Sequence, residues 1–129
     1  MSDKFIVEII SPEKLILDSD ANEVTIPSYE GQMGILKDHI PLITFLRPGV
    51  ISVRNQEEKK YFIEEGTVEF SNNKLLILTS TAVDLTELDK NYIADLINKS
   101  EKKLSDNDSS DKEKYLLSYK INTLKEISR

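Results

Sequence analysis

The chain has 129 residues, 39% of them hydrophobic and 31% charged, which suits a single core with at most a small appendage. Its formal net charge of −6 repels phosphate backbones, so no nucleic-acid partner is expected. The absence of cysteine and a lone histidine exclude disulfide frameworks, thiolate nucleophiles and multi-histidine metal centres, and no apolar run approaches the roughly 18 residues a membrane-spanning helix needs.

The N-terminus lacks the basic-then-apolar layout of a signal peptide, so a peripheral protein without direct membrane insertion is expected. Residues 1–86 carry 8 basic and 14 acidic side chains, whereas residues 87–129 carry 9 of each. Every glycine and proline lies before residue 67. Strand-punctuating residues are thus confined to the first part, which predicts β first and α second.

Phe5, Val7 and Ile9 alternate with Ile6, Glu8 and Ile10, the period-two signature of a strand, and Ser11-Pro12 ends it. Short apolar segments follow at Leu15–Leu17, Val24–Ile26, Leu42–Leu46, Val50–Val53, Tyr61–Ile63, Thr67–Phe70 and Leu75–Thr79. Their spacing is that of an antiparallel β-sandwich of about 8–10 short strands. Pro48-Gly49 fits a type II turn with glycine at φ > 0, Gly66 interrupts an apolar run, and Asn72-Asn73 suits a two-residue hairpin in the left-handed region.

Residues 87–129 read as an antiparallel αα-hairpin. Thr86-Glu87-Leu88-Asp89 resembles a capping box, and Leu88, Tyr92, Ile93, Leu96, Ile97 and Leu104 recur at helical spacing. Ser110-Asp111-Lys112-Glu113 is a regular capping box ahead of a second stripe at Leu117, Ile121 and Leu124, flanked by Leu116 and Ile127. The intervening Ser105–Ser109 is turn-prone. So narrow a pair of stripes needs docking against something else to be held firmly, which makes the hairpin a candidate mobile element.

Catalytic chemistry is sparse. His39 sits beside Asp38, but no nucleophile elbow accompanies the pair. Gly31-Gln32-Met33-Gly34 lacks the Gly-Lys-Ser/Thr ending of a phosphate loop; its glycines allow a sharp turn and close approach of another backbone. Glu57-Glu58 and Glu64-Glu65 read as solvated hairpin tips, and Lys99, Lys102 and Lys103 as a solvated helix face. Tyr92, Tyr115 and Tyr119 read as residues closing a helix pair. No catalytic residue, metal site or cofactor is expected.

The run Glu30-Gly31-Gln32-Met33-Gly34-Ile35, followed by His39, Pro41-Leu42, Thr44, Leu46 and Pro48-Gly49, resembles the pattern EGxxGIxxxHxPLxTxLxPG of the epsilon chain of F-type ATP synthases, called delta in mitochondria. Ala82 and Leu88-Asp89 match the passage that follows it. The resemblance implies a non-catalytic central-stalk subunit of a proton-translocating complex. A sandwich over residues 1–86 would bind the gamma chain and the c subunits of the rotor ring, and a regulatory hairpin over 87–129 would be able to reach the alpha/beta head and inhibit hydrolysis. Carried over by position, Gly31, Gln32, Met33 and Gly34 are candidates for the ring contact, and His39, Pro41 and Leu42 for the gamma contact. Lys112, Lys114, Lys120, Lys125 and Arg129 are the cations available to a regulatory arm. Gln32 stands where many relatives carry an acid, so a charge-paired ring contact becomes a neutral hydrogen bond.

Some relatives bind ATP through a motif that opens Ile/Leu-Asp and ends Arg-Ala; here Leu88-Asp89 is followed by Tyr92-Ile93, so weak or no ATP binding is expected. Lysine outnumbers arginine 14 to 3, a composition that leans toward the cytoplasmic face of a bacterial inner membrane. The competing readings are a stand-alone β-sandwich ligand or nucleotide sensor and a small hydrolase built on His39.

Overall fold

The computed structural model describes residues 3–106 and 108–128. Ten strands run in chain order: β1 (Phe5–Ile10), β2 (Leu15–Ala21), β3 (Glu23–Ser28), β4 (Gly31–Leu36), β5 (Leu42–Leu46), β6 (Gly49–Arg54), β7 (Glu58–Ile63), β8 (Gly66–Ser71), β9 (Lys74–Leu78) and β10 (Ala82–Asp84). A 3-10 turn at Leu85–Glu87 leads to α1 (Lys90–Leu104) and α2 (Asp111–Ile127). The expected β-then-α architecture, a sandwich followed by a two-helix hairpin, is the one observed.

Pairing follows the path β10-β7-β6-β3-β5-β8-β9-β1-β2, with β4 on the other side of β3. The path turns at β3, whose first half pairs with β6 and whose last residue, Ser28, pairs with Leu46 of β5. The two halves face each other across one core that draws on both, including Val7, Ile9, Val68 and Ile77 from one half and Ile26, Ile51 and Ile63 from the other. Phe5, Val7 and Ile9 are all buried, as their alternation predicts. One pair departs from the antiparallel expectation: β1 and β9 run parallel. Parallel pairing requires a long connection, supplied here by the seven strands between them.

β4 and β10 were not expected as strands. β4 is glycine-rich and β10 only three residues long, so neither carries a clear apolar alternation. Asn72 and Asn73 adopt φ of 50° and 57°, the two left-handed residues of a tight hairpin. Gly49 differs from expectation, since Gly31 is the glycine with positive φ. Gly49 opens β6 opposite Ile63, and a Cβ there would lie 2.5 Å from the Pro27 Cβ. Glycine is required for space at that position, not for conformation.

The cap of α1 is Asp89 rather than Thr86: its carboxylate accepts the Tyr92 N–H at 2.7 Å, while Thr86 donates to Asp84, which caps the 3-10 turn. α2 begins as expected, the Ser110 hydroxyl accepting the Glu113 N–H at 3.1 Å. Ile93 and Leu124 pack with Phe62, which leaves β7 on the side away from the sandwich core, and Leu88, Leu96, Ile97 and Ile127 surround them. Tyr92 falls outside this stripe and is exposed.

Gly66 and Gly34 separate two uses of glycine. A Cβ on Gly66 would lie 2.6 Å from the Leu78 carbonyl oxygen, whereas one on Gly34 would meet only the Glu23 Oε2 at 3.7 Å. Gly66→Ala is expected to destabilise the chain by about 1–3 kcal/mol, and Gly34→Ala to change stability by less than about 0.5 kcal/mol. Urea titrations of the two variants check this through the midpoint at constant slope.

Candidate partner interface

β5 reads Leu42-Ile-Thr-Phe-Leu46, apolar on both faces. Its inner side chains, Leu42 and Leu46, join the core, leaving Ile43 and Phe45 outward at 76% and 60% exposure. Register extends this outer face across four further strands. Phe45 lies opposite Thr67, Thr67 opposite Leu78, Leu78 opposite Ile10, and Ile10 opposite Leu15. The adjacent row runs Ile43, Glu69, Leu76, Glu8 and Asp18. A largely apolar row, broken by Thr67, therefore lies beside a partly acidic one, and Ile10, Pro12, Phe45 and Leu78 help line a groove of about 760 Å³ that Tyr29 and Lys112 also border. Exposed apolar side chains gathered on one sheet face in this way mark a surface for contact with another macromolecule.

The residues expected at interfaces sit in several places. Gly31, Gln32, Met33 and Gly34 form most of edge strand β4 rather than a loop, paired with Ser28, Pro27, Ile26 and Thr25 of β3. The turn itself is Tyr29-Glu30. The Ser28 hydroxyl pins it, donating to the Gly31 carbonyl at 2.8 Å and accepting the Glu30 N–H at 3.1 Å, with Gly31 at φ 123°. Within the chain no backbone atom approaches Gly34, where an added Cβ would meet only the Glu23 Oε2 at 3.7 Å. Gln32 and Gly34 are exposed, while Met33 packs against the core.

His39 and Asp38 point to different tasks. Asp38 holds a left-handed φ of 66° and exchanges hydrogen bonds with Asn73: its N–H donates to Asn73 Oδ1 at 2.7 Å, and Asn73 Nδ2 donates to its carboxylate at 2.9 Å. The His39 ring meets Phe70 edge-on at 6.0 Å, and its Nδ1 donates to the Ile40 carbonyl at 2.8 Å. The imidazole is a packing element and does not meet the carboxylate beside it, which removes the hydrolase reading. Pro41 is exposed, and Leu42 faces inward. The exposed apolar residues of the segment are Ile40, Ile43 and Phe45, which the sequence reading passed over. Their signal was present: a five-residue strand with apolar side chains at both parities needs cover on both faces.

On α2, Lys112 reaches the groove rim, Lys114 is half-buried and Lys125 pairs with Glu101 of α1 at 3.7 Å. Lys120 is largely buried and pairs with Glu64; Glu64 is thus an ion-pair partner, not a free hairpin tip. Arg129 lies outside the described residues. Tyr115 and Tyr119 close against the sandwich rather than between the helices: Tyr115 stacks on Tyr29 at 6.3 Å, and Arg47 lies 3.9 Å above the Tyr119 ring.

Between hairpin and sandwich lies a polar cleft lined by Ser52, Arg54, Glu58, Lys60 and Lys90, among others. Its cations are largely neutralised from within. Glu58 accepts from Ser52 Oγ at 3.0 Å and from Arg54 Nη2 at 3.3 Å, and Lys60 lies 3.5 Å away. Asp89, the acid of the nucleotide-motif opening, is engaged as a helix cap. No group of three or more potential metal ligands occurs among the described residues, and none of their helices is long and apolar enough to cross a membrane.

Comparison with known proteins is consistent throughout. Residues 4–85 match the family described as ATP synthase, Delta/Epsilon chain, beta-sandwich domain. The chain is 43% identical over 130 residues to the ATP synthase epsilon chain of Pelagibacter ubique, covering 99% of this chain and 100% of that one. It is 35% identical over 108 residues to the epsilon chain of Rhizobium etli, covering 82% and 80%. In fold it resembles a chain of the Euglena gracilis mitochondrial ATP synthase (TM-score 0.77, 21% identity, 97% of this chain and 79% of that chain). It also resembles a chain of the Tetrahymena thermophila mitochondrial ATP synthase central stalk and c-ring (TM-score 0.68, 16% identity, 96% of each). A sandwich that buries one face, leaves an apolar row on the other and carries a docked hairpin is a protein that works through its surfaces. The chain belongs to the ATP synthase delta/epsilon chain family and is a non-catalytic subunit of the central stalk.

The Ser52 hydroxyl and the Arg54 guanidinium hold the Glu58 carboxyl below its ordinary value of 4.5. A carboxylate with a lowered folded value contributes stability above 4.5 that is lost as pH falls through that lowered value. Glu58→Gln is therefore expected to lower the melting temperature slightly at neutral pH, where the contribution is present, and hardly at all in acid, which flattens the acid limb of the profile measured by calorimetry across pH.

Proposed function

We propose that the outward row centred on Ile43 and Phe45 is the seat of the gamma chain, and that the Tyr29-Glu30 turn with edge strand β4 faces the rotor ring. The exposure of Ile43 and Phe45 on a strand otherwise committed to the core carries this reading. Burying two such side chains offers about 3–6 kcal/mol, and the apolar row continues them across the sheet. His39 and Leu42 then act from behind the interface, packing inward and fixing the course of the segment that presents Ile40, Pro41 and Ile43. Gln32, exposed and neutral, offers the ring a hydrogen bond in place of an ion pair.

In this reading residues 1–86 transmit torque as a stiff body between gamma and ring in a proton-translocating complex at the cytoplasmic face of a bacterial inner membrane. Residues 87–129 form a regulatory arm toward the alpha/beta head, with Lys112, Lys114, Lys120, Lys125 and Arg129 as its cations. Nucleotide affinity is weak or absent, because Arg54 and Lys60 already share Glu58 and Tyr92-Ile93 replaces the Arg-Ala of the motif.

Affinity purification from native membranes tests the assignment: alpha, beta, gamma and ring subunits are expected to accompany the wild-type chain. An Ile43→Asp/Phe45→Asp variant should keep the wild-type circular dichroism and melting profile yet lose those partners; undiminished co-purification would place the gamma seat elsewhere. Deleting residues 87–129 is expected to leave a folded, assembling sandwich, with ATP hydrolysis by the complex unchanged or raised. A fall in hydrolysis together with lost assembly would make the arm structural instead.

A further inference from the structure

Residues 37–41 carry the chain from β4, which pairs with β3, to β5, which pairs with β8. They lie outside any strand, yet Ile40 within them and Ile43 just beyond are 74% and 76% exposed. An apolar segment presented to a partner binds best when its course is set beforehand, because any freedom it keeps in the free chain is lost on contact.

The course of this connector is set from a distance in sequence. Asp38 turns it through the left-handed region at φ 66°, a conformation that aspartate adopts more readily than most residues. Its N–H donates to Asn73 Oδ1 at 2.7 Å, and Asn73 Nδ2 donates to its carboxylate at 2.9 Å. Asn73 is itself held by the sheet. It is the second left-handed residue, at φ 57°, of the turn closed by the Ser71–Lys74 pair, and its carbonyl accepts the Ile6 N–H of β1 at 3.0 Å. The backbone of Asn73 thus belongs to β1 and the β8–β9 hairpin, while its side chain spends an acceptor and a donor on the connector. The turn does not need that side chain, since glycine serves its second position at least as well. The amide has a task that the hairpin does not set.

The next residue completes the hold. The His39 N–H closes on the Leu36 carbonyl at 3.1 Å, and its ring meets Phe70 of β8 edge-on at 6.0 Å. Two consecutive connector residues are therefore fixed to the same hairpin, one through hydrogen bonds and one through ring packing.

We propose that Asp38 and Asn73 are positioning residues for the gamma chain: their paired hydrogen bonds preorganise residues 37–41, so that Ile40 and Ile43 meet the partner without further ordering. This rests on the reading of the Ile43–Phe45 row as the gamma seat. Neither residue has to touch gamma.

Asn73→Gly separates this role from support of the fold, because it keeps the left-handed turn and removes only the amide. In the full chain, residue-resolved hydrogen exchange at the Asp38 and His39 amides is expected to rise roughly fivefold, with the circular dichroism of the wild type. Binding of that variant to ATP synthase depleted of its own copy, read by the gamma chain retained, should weaken by roughly the same factor. Asn73→Asp sets carboxylate against carboxylate and should weaken binding as well. Adding Asp38→Asn to Asn73→Asp supplies a donor again and should restore it, whereas Asp38→Asn alone keeps the acceptor and should bind as the wild type does. Unchanged exchange at Asp38 and His39 in Asn73→Gly, or no rescue by the exchanged pair, overturns the proposal. So does wild-type gamma binding by Asn73→Gly when Ile43→Asp/Phe45→Asp abolishes it, a result that leaves the seat in place. Undiminished binding by Ile43→Asp/Phe45→Asp would instead remove the seat, and the positioning role with it.

Discussion

A single strand crossing organises the molecule. β3 begins as a neighbour of β6 and ends as a neighbour of β5, and the exchange is made through Ser28 and Leu46. With backbone hydrogen bonds on either side of that pair, the chain cannot slip there by one residue without inverting every side chain of β5. The core needs Leu42 and Leu46 inside. The same parity that places them inside forces Ile43, Phe45 and Arg47 out, so the apolar row and the docking point for α2 are by-products of one register.

The two outward surfaces differ in what they ask of a partner. Ile43, Phe45, Leu78 and Ile10 present apolar area with few polar obligations, the chemistry of a lasting contact. The hairpin side combines an apolar cluster, where Phe62 meets Ile93 and Leu124, with tyrosines, an arginine and an ion pair. Tyr29 and Lys112 belong to both surfaces, since each borders the groove and each lies on an element of the hairpin contact. An occupant that filled the groove would therefore reach Lys112 of α2.

Residue types mislead where their usual role is displaced by geometry. The Gly31–Gly34 stretch has the composition of a loop, yet it is an edge strand, because β3 supplies a hydrogen-bonded template along its whole length. Gly49 follows proline as in a type II turn, but it is glycine because Pro27 occupies the space a Cβ would take. His39 sits beside an acid as in a catalytic pair, while Asn73, 35 residues away, claims that acid and Phe70 receives the ring.

Local periodicity and capping chemistry were written in the chain itself. The alternation of Phe5, Val7 and Ile9, the Asn72-Asn73 turn and the Ser110 cap each depend on neighbours within a few residues, so the β-then-α order was legible before any tertiary contact. Contacts between segments far apart in sequence were not. The parallel pairing of β1 with β9, the strand character of β4, the joining of Lys120 to Glu64 and of Arg47 to Tyr119, and the exposure of Ile43 and Phe45 are settled only when the sheet closes. Until then nothing distinguishes an apolar side chain that faces the core from its neighbour that faces a partner, because both lower the chain's free energy by leaving water and only the register decides which of them does so within the fold.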